Sequence, residues 1–116
     1  GMYIPKGRAL VRIENTLDGF HWLVGWFETL LMHVWYPSTV CTRSFEIKRI
    51  IKKWLDKTGD VSGLMFKLHD FGFRGASSYQ TAMFGGMAHL VNFMGTDTIA
   101  GIFGAKKYYN AKDVVG

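Results

Sequence analysis

An α/β fold with few strands and flanking helices is what this sequence predicts, on three observations. Apolar and polar residues alternate over residues 8–14, apolar residues recur at helical spacing over 19–35 and again after Ser44, and residues 64–71 lead into a turn rich in glycine and hydroxyl groups. A chain of 116 residues with 48% hydrophobic content can bury one sizeable core, so residues 1–116 read as a single domain.

The elements follow in chain order. In "RALVRIE", Ala9, Val11 and Ile13 share one face and Arg8, Arg12 and Glu14 the other, the alternation of a half-buried strand. "NTLDG" then supplies turn and capping chemistry, with Asp18 as a plausible N-cap. Over 19–35, Leu23, Trp26, Phe27, Leu30, Leu31 and Val34 form a helical stripe, and Trp22, Met32 and Trp35 extend apolar surface around it. A helix of that kind is expected to be mostly buried and to end at Pro37.

A second helix is expected after Ser44, where Ile47, Ile50, Ile51, Trp54 and Leu55 form a stripe and "KRIIKK" a solvated basic face. Residues 64–71 read as a strand. Ser77 and Gln80 have capping-box spacing, which predicts a helix over 78–93, and a last helix is expected over 102–109. Gly85, Gly86 and Ala88 weaken the third helix by propensity but let another backbone come close.

Composition narrows the function classes. The net charge of +5 is spread along the chain, whereas polyanion binding needs a concentrated patch, so nucleic acid is not an expected partner. A single cysteine, Cys41, excludes an internal disulfide framework and a cysteine-based zinc site, and fits a reducing compartment. No leader pattern and no uncharged apolar stretch of roughly 18 residues is present, so a soluble, cytoplasmic protein without a membrane partner is expected. Aromatic residues make up 16%, a share that suggests apolar surface awaiting a partner.

Chemistry concentrates in "KLHDFGFRGASS", residues 67–78. The kinase-type reading of Asp70-Phe71-Gly72 fails for want of a glycine-rich loop, a strand lysine and a catalytic-loop aspartate. A P-loop fails as well, because no Gly-x-x-x-x-Gly-Lys-Ser/Thr occurs. A generic anion site survives, since Arg74 stands just before Gly75 and the start of a helix, against the plainer reading of an exposed arginine. His21, His33, His69 and His89 show no metal-ligand spacing, and His89 reads as a packed helix residue. Cys41 reads as an inert thiol, and Asp97 in "GTDT" as a turn former or as a pair of acceptors for an amide.

Beyond these single residues, "KLHDFGFRGASS", "AHLVNFMGTDTIAG" and "KKYYNAKD", with "IPKGRALVRIENT", "HWLVGWFETLLMHVWYP" and "STVCTRS" before them, resemble the nicotinamide phosphoribosyltransferase family. The resemblance runs through nearly all of the chain in the same order. It implies a type II phosphoribosyltransferase fold, an irregular α/β barrel in a dimer with active sites at the subunit interface, of which this chain would be a partial barrel.

The activity implied is NAD salvage, in which nicotinamide and phosphoribosyl pyrophosphate give nicotinamide mononucleotide and pyrophosphate. Carried over residue by residue, the resemblance implies that Phe71 stacks on the nicotinamide ring, Arg74 contacts substrate phosphates and Asp97 hydrogen-bonds the carboxamide. A carboxylate ligand would repel Asp97, so nicotinamide is favoured over nicotinate. Phe73 stands where the family often has Tyr, and "SSYQTAMFGGM" departs from the usual residues of that helix.

The block carrying the family's catalytic histidine lies beyond this chain, so no catalytic residue is assigned here and the chain alone is expected to be incomplete as an enzyme. Magnesium is expected on the pyrophosphate of the complete enzyme, with no metal ligands and no cofactor held by this chain alone. The implied partners are the two small-molecule substrates and either a second copy or a complementary enzyme half. The competing expectation is a non-catalytic binding or self-association module derived from the family.

Overall fold

The computed structural model describes residues 4–113. Its elements are helix α1 (Trp22–Thr58), a 3-10 helix (Val61–Phe66), a second 3-10 helix (Gly72–Gly75), helix α2 (Tyr79–Leu90) and helix α3 (Ile99–Tyr109). The chain divides into two compact units, Gly1–Val34 and Trp35–Gly116.

The expected α/β class is overturned: among the described residues there is no sheet and no barrel, and pairing is limited to a single parallel bridge between Asp70 and Thr96. Residues 8–14 carry the alternation of a strand but have no ladder partner there, and sheet hydrogen bonds must come from another segment. Residues 64–71 also fail to form a strand. Asp60 instead opens the 3-10 helix Val61–Phe66, its carboxylate accepting from the Ser62 N–H at 2.9 Å. The Ser62 hydroxyl and N–H both favour the ionised form and hold the Asp60 carboxyl below its ordinary value of 3.8.

In the first unit, Gly7 and Gly19 take positive φ, 87° and 83°, in the turns at 6–7 and 17–19. The helix that begins at Trp22 was expected to be mostly buried, yet Trp22, Trp26 and Leu30 are exposed. No sheet is present among the described residues for this face to cover.

Pro37 was expected to end that helix, and the helix continues to Thr58. Proline removes one N–H and crowds the preceding turn, at a cost of about 3 kcal/mol. Contacts within the second unit hold the segment that follows in place. The Asn92 amide donates to the Cys41 carbonyl at 2.9 Å, the Ser44 hydroxyl lies 3.2 Å from His89 Nδ1, and Lys48 Nζ donates to the Asn92 carbonyl at 2.6 Å. The expected basic face is thereby partly spent on internal pairing, as Arg49 and Lys52 also pair with Glu46 and Asp56 along the helix.

Helix α2 starts one residue later than the capping box placed it. Ser78, with extended backbone, accepts from the Thr81 N–H at 3.1 Å and contacts the Thr81 hydroxyl at 2.9 Å. Helices α2 and α3 pack through small residues, as Gly85, Gly86 and Ala88 led one to expect. An ideal Cβ on Gly101 would lie 2.7 Å from Gly86 Cα, so the two backbones are in contact. Ala82, Met83 and Ala100 are buried in one cluster, with Ala76 and Met87 packed against it. Asn110 ends α3 in the left-handed conformation at φ 51° and donates its N–H to the Ala105 carbonyl.

Candidate functional site

The loop after α2 and the segment before the second 3-10 helix build the site together. Asp70 donates its N–H to the Gly95 carbonyl at 3.3 Å and accepts the Asp97 N–H at 2.9 Å, the two bonds of the parallel bridge. Its carboxylate is turned back on the local chain: Oδ1 accepts from the Gly72 N–H at 2.8 Å and Oδ2 from the Thr96 hydroxyl at 3.4 Å. Asp70 thus organises the turn, which is the structural role an Asx residue performs. Gly95 is buried, and its carbonyl also accepts from His89 Nε2 at 3.1 Å.

His89 is the packed helix residue the sequence suggested. It is buried between Ser44 and the Gly95 carbonyl, and its ring stacks on fully buried Phe93 at 5.3 Å between centroids. A carbonyl only accepts, so Nε2 carries the proton and Nδ1 is left to face the Ser44 hydroxyl. That pair ties α1 and α2 to the loop that delivers Asp97.

Three sequence-selected residues, Phe71, Arg74 and Asp97, come together with Phe73 around one open cavity of about 350 Å³. Phe71 is 50% exposed as a residue and lines this cavity. The Arg74 guanidinium sits over that ring, 5.4 Å from its centroid, a cation–π placement that holds a positive charge beside the aromatic platform. Phe73 meets Tyr79 edge to face at 5.9 Å.

Sequence reasoning missed His69. Its Nε2 donates to Asp97 Oδ1 at 2.9 Å, and its ring lies 5.0 Å from that of Phe71 at a tilt of 43°. The two residues stand 28 apart in the chain, and the Asp70–Thr96 bridge brings their neighbours into register. No local spacing could have announced the pair. Among the described residues no hydrogen bond reaches Asp97 Oδ2, so that oxygen remains an open acceptor, and Asp97 lines the cavity.

Among the described residues, no three His, Cys, Asp or Glu side chains come together as a metal-binding group. Among them, no helix is long and apolar enough to cross a membrane.

An aromatic ring, a guanidinium and a carboxylate thus line one cleft. Residues 66–112, which contain all of these groups, match the model of the nicotinate phosphoribosyltransferase (NAPRTase) family. The chain is 46% identical over 112 residues to a nicotinamide phosphoribosyltransferase of Xanthomonas campestris, an alignment that covers 95% of this chain and 24% of that protein.

A nicotinamide phosphoribosyltransferase of Acinetobacter baylyi is 38% identical over 121 residues, covering 97% of this chain and 24% of that protein. One from Mycoplasma genitalium is 42% identical over 91 residues, 77% of this chain and 20% of that protein. The chain belongs to this phosphoribosyltransferase family and is a partial chain of it. It spans about a quarter of the length of the first two relatives.

Proposed function

We propose that this chain carries the nicotinamide-receiving and phosphate-contacting part of a nicotinamide phosphoribosyltransferase. The single observation that supports the reading is the convergence of Phe71, Arg74 and Asp97 on one cavity. In this reading Phe71 is the platform for the pyridine ring, and Asp97 Oδ2 accepts an N–H of the carboxamide. Arg74 offers its planar fork to a substrate phosphate oxygen.

The reaction of the complete enzyme is displacement at ribose C1. The pyridine nitrogen supplies the electron pair of the new bond, and pyrophosphate leaves with the pair of the broken C–O bond. The residues here bind and orient the nucleophile; among them none is assigned a proton transfer. Nicotinate carries a carboxylate where nicotinamide carries an amide, and it would face Asp97 as a like charge, so nicotinamide is the preferred base.

Titration of the chain with nicotinamide, followed by calorimetry or amide shifts of residues 71, 74 and 97, tests the reading. Asp97→Ala is expected to weaken binding by about tenfold, the effect of losing one hydrogen bond to a charged group. Formation of nicotinamide mononucleotide is expected only when the chain is mixed with the remaining part of a full-length relative. Absence of nicotinamide binding together with absence of turnover on mixing would overturn it.

A further inference from the structure

We infer that His69 is a positioning residue that sets the base preference of this site by holding the Asp97 carboxylate, an inference that rests on the function proposed above. The geometry fixes both ends of the contact. His69 Nε2 donates to Asp97 Oδ1 at 2.9 Å, while the Asp97 backbone N–H is held by the Asp70 carbonyl at 2.9 Å. The far side of the imidazole rests against Gly95, where a Cβ would come within 2.5 Å of His69 Nδ1. The ring is thus confined between the Gly95 backbone and Phe71, whose centroid is 5.0 Å away.

One donor on one oxygen has a chemical consequence. A carboxylate has two oxygens that accept equally well, and a free Asp97 could rotate about its terminal torsion to present either or both. With Oδ1 tied to the imidazole, the carboxylate is held in one orientation, and Oδ2 has no hydrogen bond among the described residues. A carboxamide N–H can meet it, and a carboxylate cannot. Asp97 is 54% exposed in its side chain, so without the tether water and rotation would blunt that discrimination. Gly95 is part of the same device, because any larger residue there would displace the ring.

The test separates a positioning role from a merely structural one by reading a ratio. Nicotinamide and nicotinate are titrated separately into the full chain and into His69→Ala, His69→Phe, His69→Gln and Asp97→Ala, with thermal unfolding confirming that each variant is folded. The wild-type chain is expected to prefer nicotinamide. His69→Ala and His69→Phe are expected to reduce that preference by about tenfold, and His69→Gln, which can still donate an N–H, is expected to restore most of it.

A structural role would weaken both ligands alike and leave the ratio unchanged, which would overturn the inference. Loss of the preference in Asp97→Ala but not in His69→Ala would also overturn it while leaving the proposed function standing. Failure of His69→Gln to recover any preference in a folded protein would refute the donor role. Absence of binding by either base would remove the proposed function and this inference together.

Discussion

Gly101→Ala puts the packing of α2 on α3 to a direct test. The added methyl would lie 2.7 Å from Gly86 Cα, 2.8 Å from the Gly86 carbonyl carbon and 3.1 Å from the Met87 nitrogen, all of them backbone atoms that no rotamer change can move. Carbon atoms prefer about 3.5–4.0 Å, so the helices must part by about 1 Å. Overpacking of this kind costs about 1–3 kcal/mol, and a clash with backbone on both sides belongs at the upper end. Alanine recovers about 1 kcal/mol through its better helix propensity.

The net expectation is a loss of about 2 kcal/mol, equivalent to a fall in Tm of about 8 °C or more for a unit of this size. Urea or thermal unfolding measures it. Gly75→Ala, at a glycine whose added Cβ meets nothing within 4 Å, serves as the control and should change stability by no more than about 0.5 kcal/mol. Gly86→Ala should resemble Gly101→Ala, and the double variant should lose less than the sum, since both disrupt one contact. A Gly101→Ala protein as stable as the parent would refute the backbone contact. Because α3 begins two residues after Asp97, the same variant should also weaken nicotinamide binding.

Other expectations follow from single contacts. Ser78→Ala removes the side-chain cap of α2 and should cost about 1 kcal/mol in denaturant unfolding, while Ser77→Ala should cost little. The Asp60 carboxyl is held low by Ser62, so its contribution to stability is fully present above pH 3.8 and is lost as the pH falls through its lower folded value; acid titration by NMR of the Ser62 amide follows it. Arg74→Lys keeps the charge but loses the planar fork, and pyrophosphate titration should show binding weakened by about tenfold. Gly25→Ala, with open space around the added methyl, should stabilise α1 by up to about 1 kcal/mol in thermal unfolding.

Helix-forming stretches were legible because their signals are local. The apolar stripes, the hydroxyls at 77–78 and the small residues of α2 all act within a few positions of themselves, and the capping error was one residue. The strands were misread for the complementary reason. Alternation in residues 8–14 and the apolar run at 64–71 state a preference for extended backbone, but a strand exists only when a second segment supplies its hydrogen bonds. Pro37 was misread because proline raises the local cost of a helix without deciding it, and the contacts of Cys41, Ser44 and Lys48 with His89 and Asn92 act over 44 to 51 residues.

By itself, the sequence determined much of the helical content though not its division into helices, the small-residue face of α2, the family to which the ordered blocks belong, and the candidacy of Phe71, Arg74 and Asp97. Tertiary structure alone decided that these three share a cavity, that Asp70 is spent on a turn, and that His69 holds Asp97. The division has a physical cause: propensity and motif are written in neighbouring residues, whereas the bridge between Asp70 and Thr96 that aligns the site joins residues 26 apart through backbone atoms common to every amino acid.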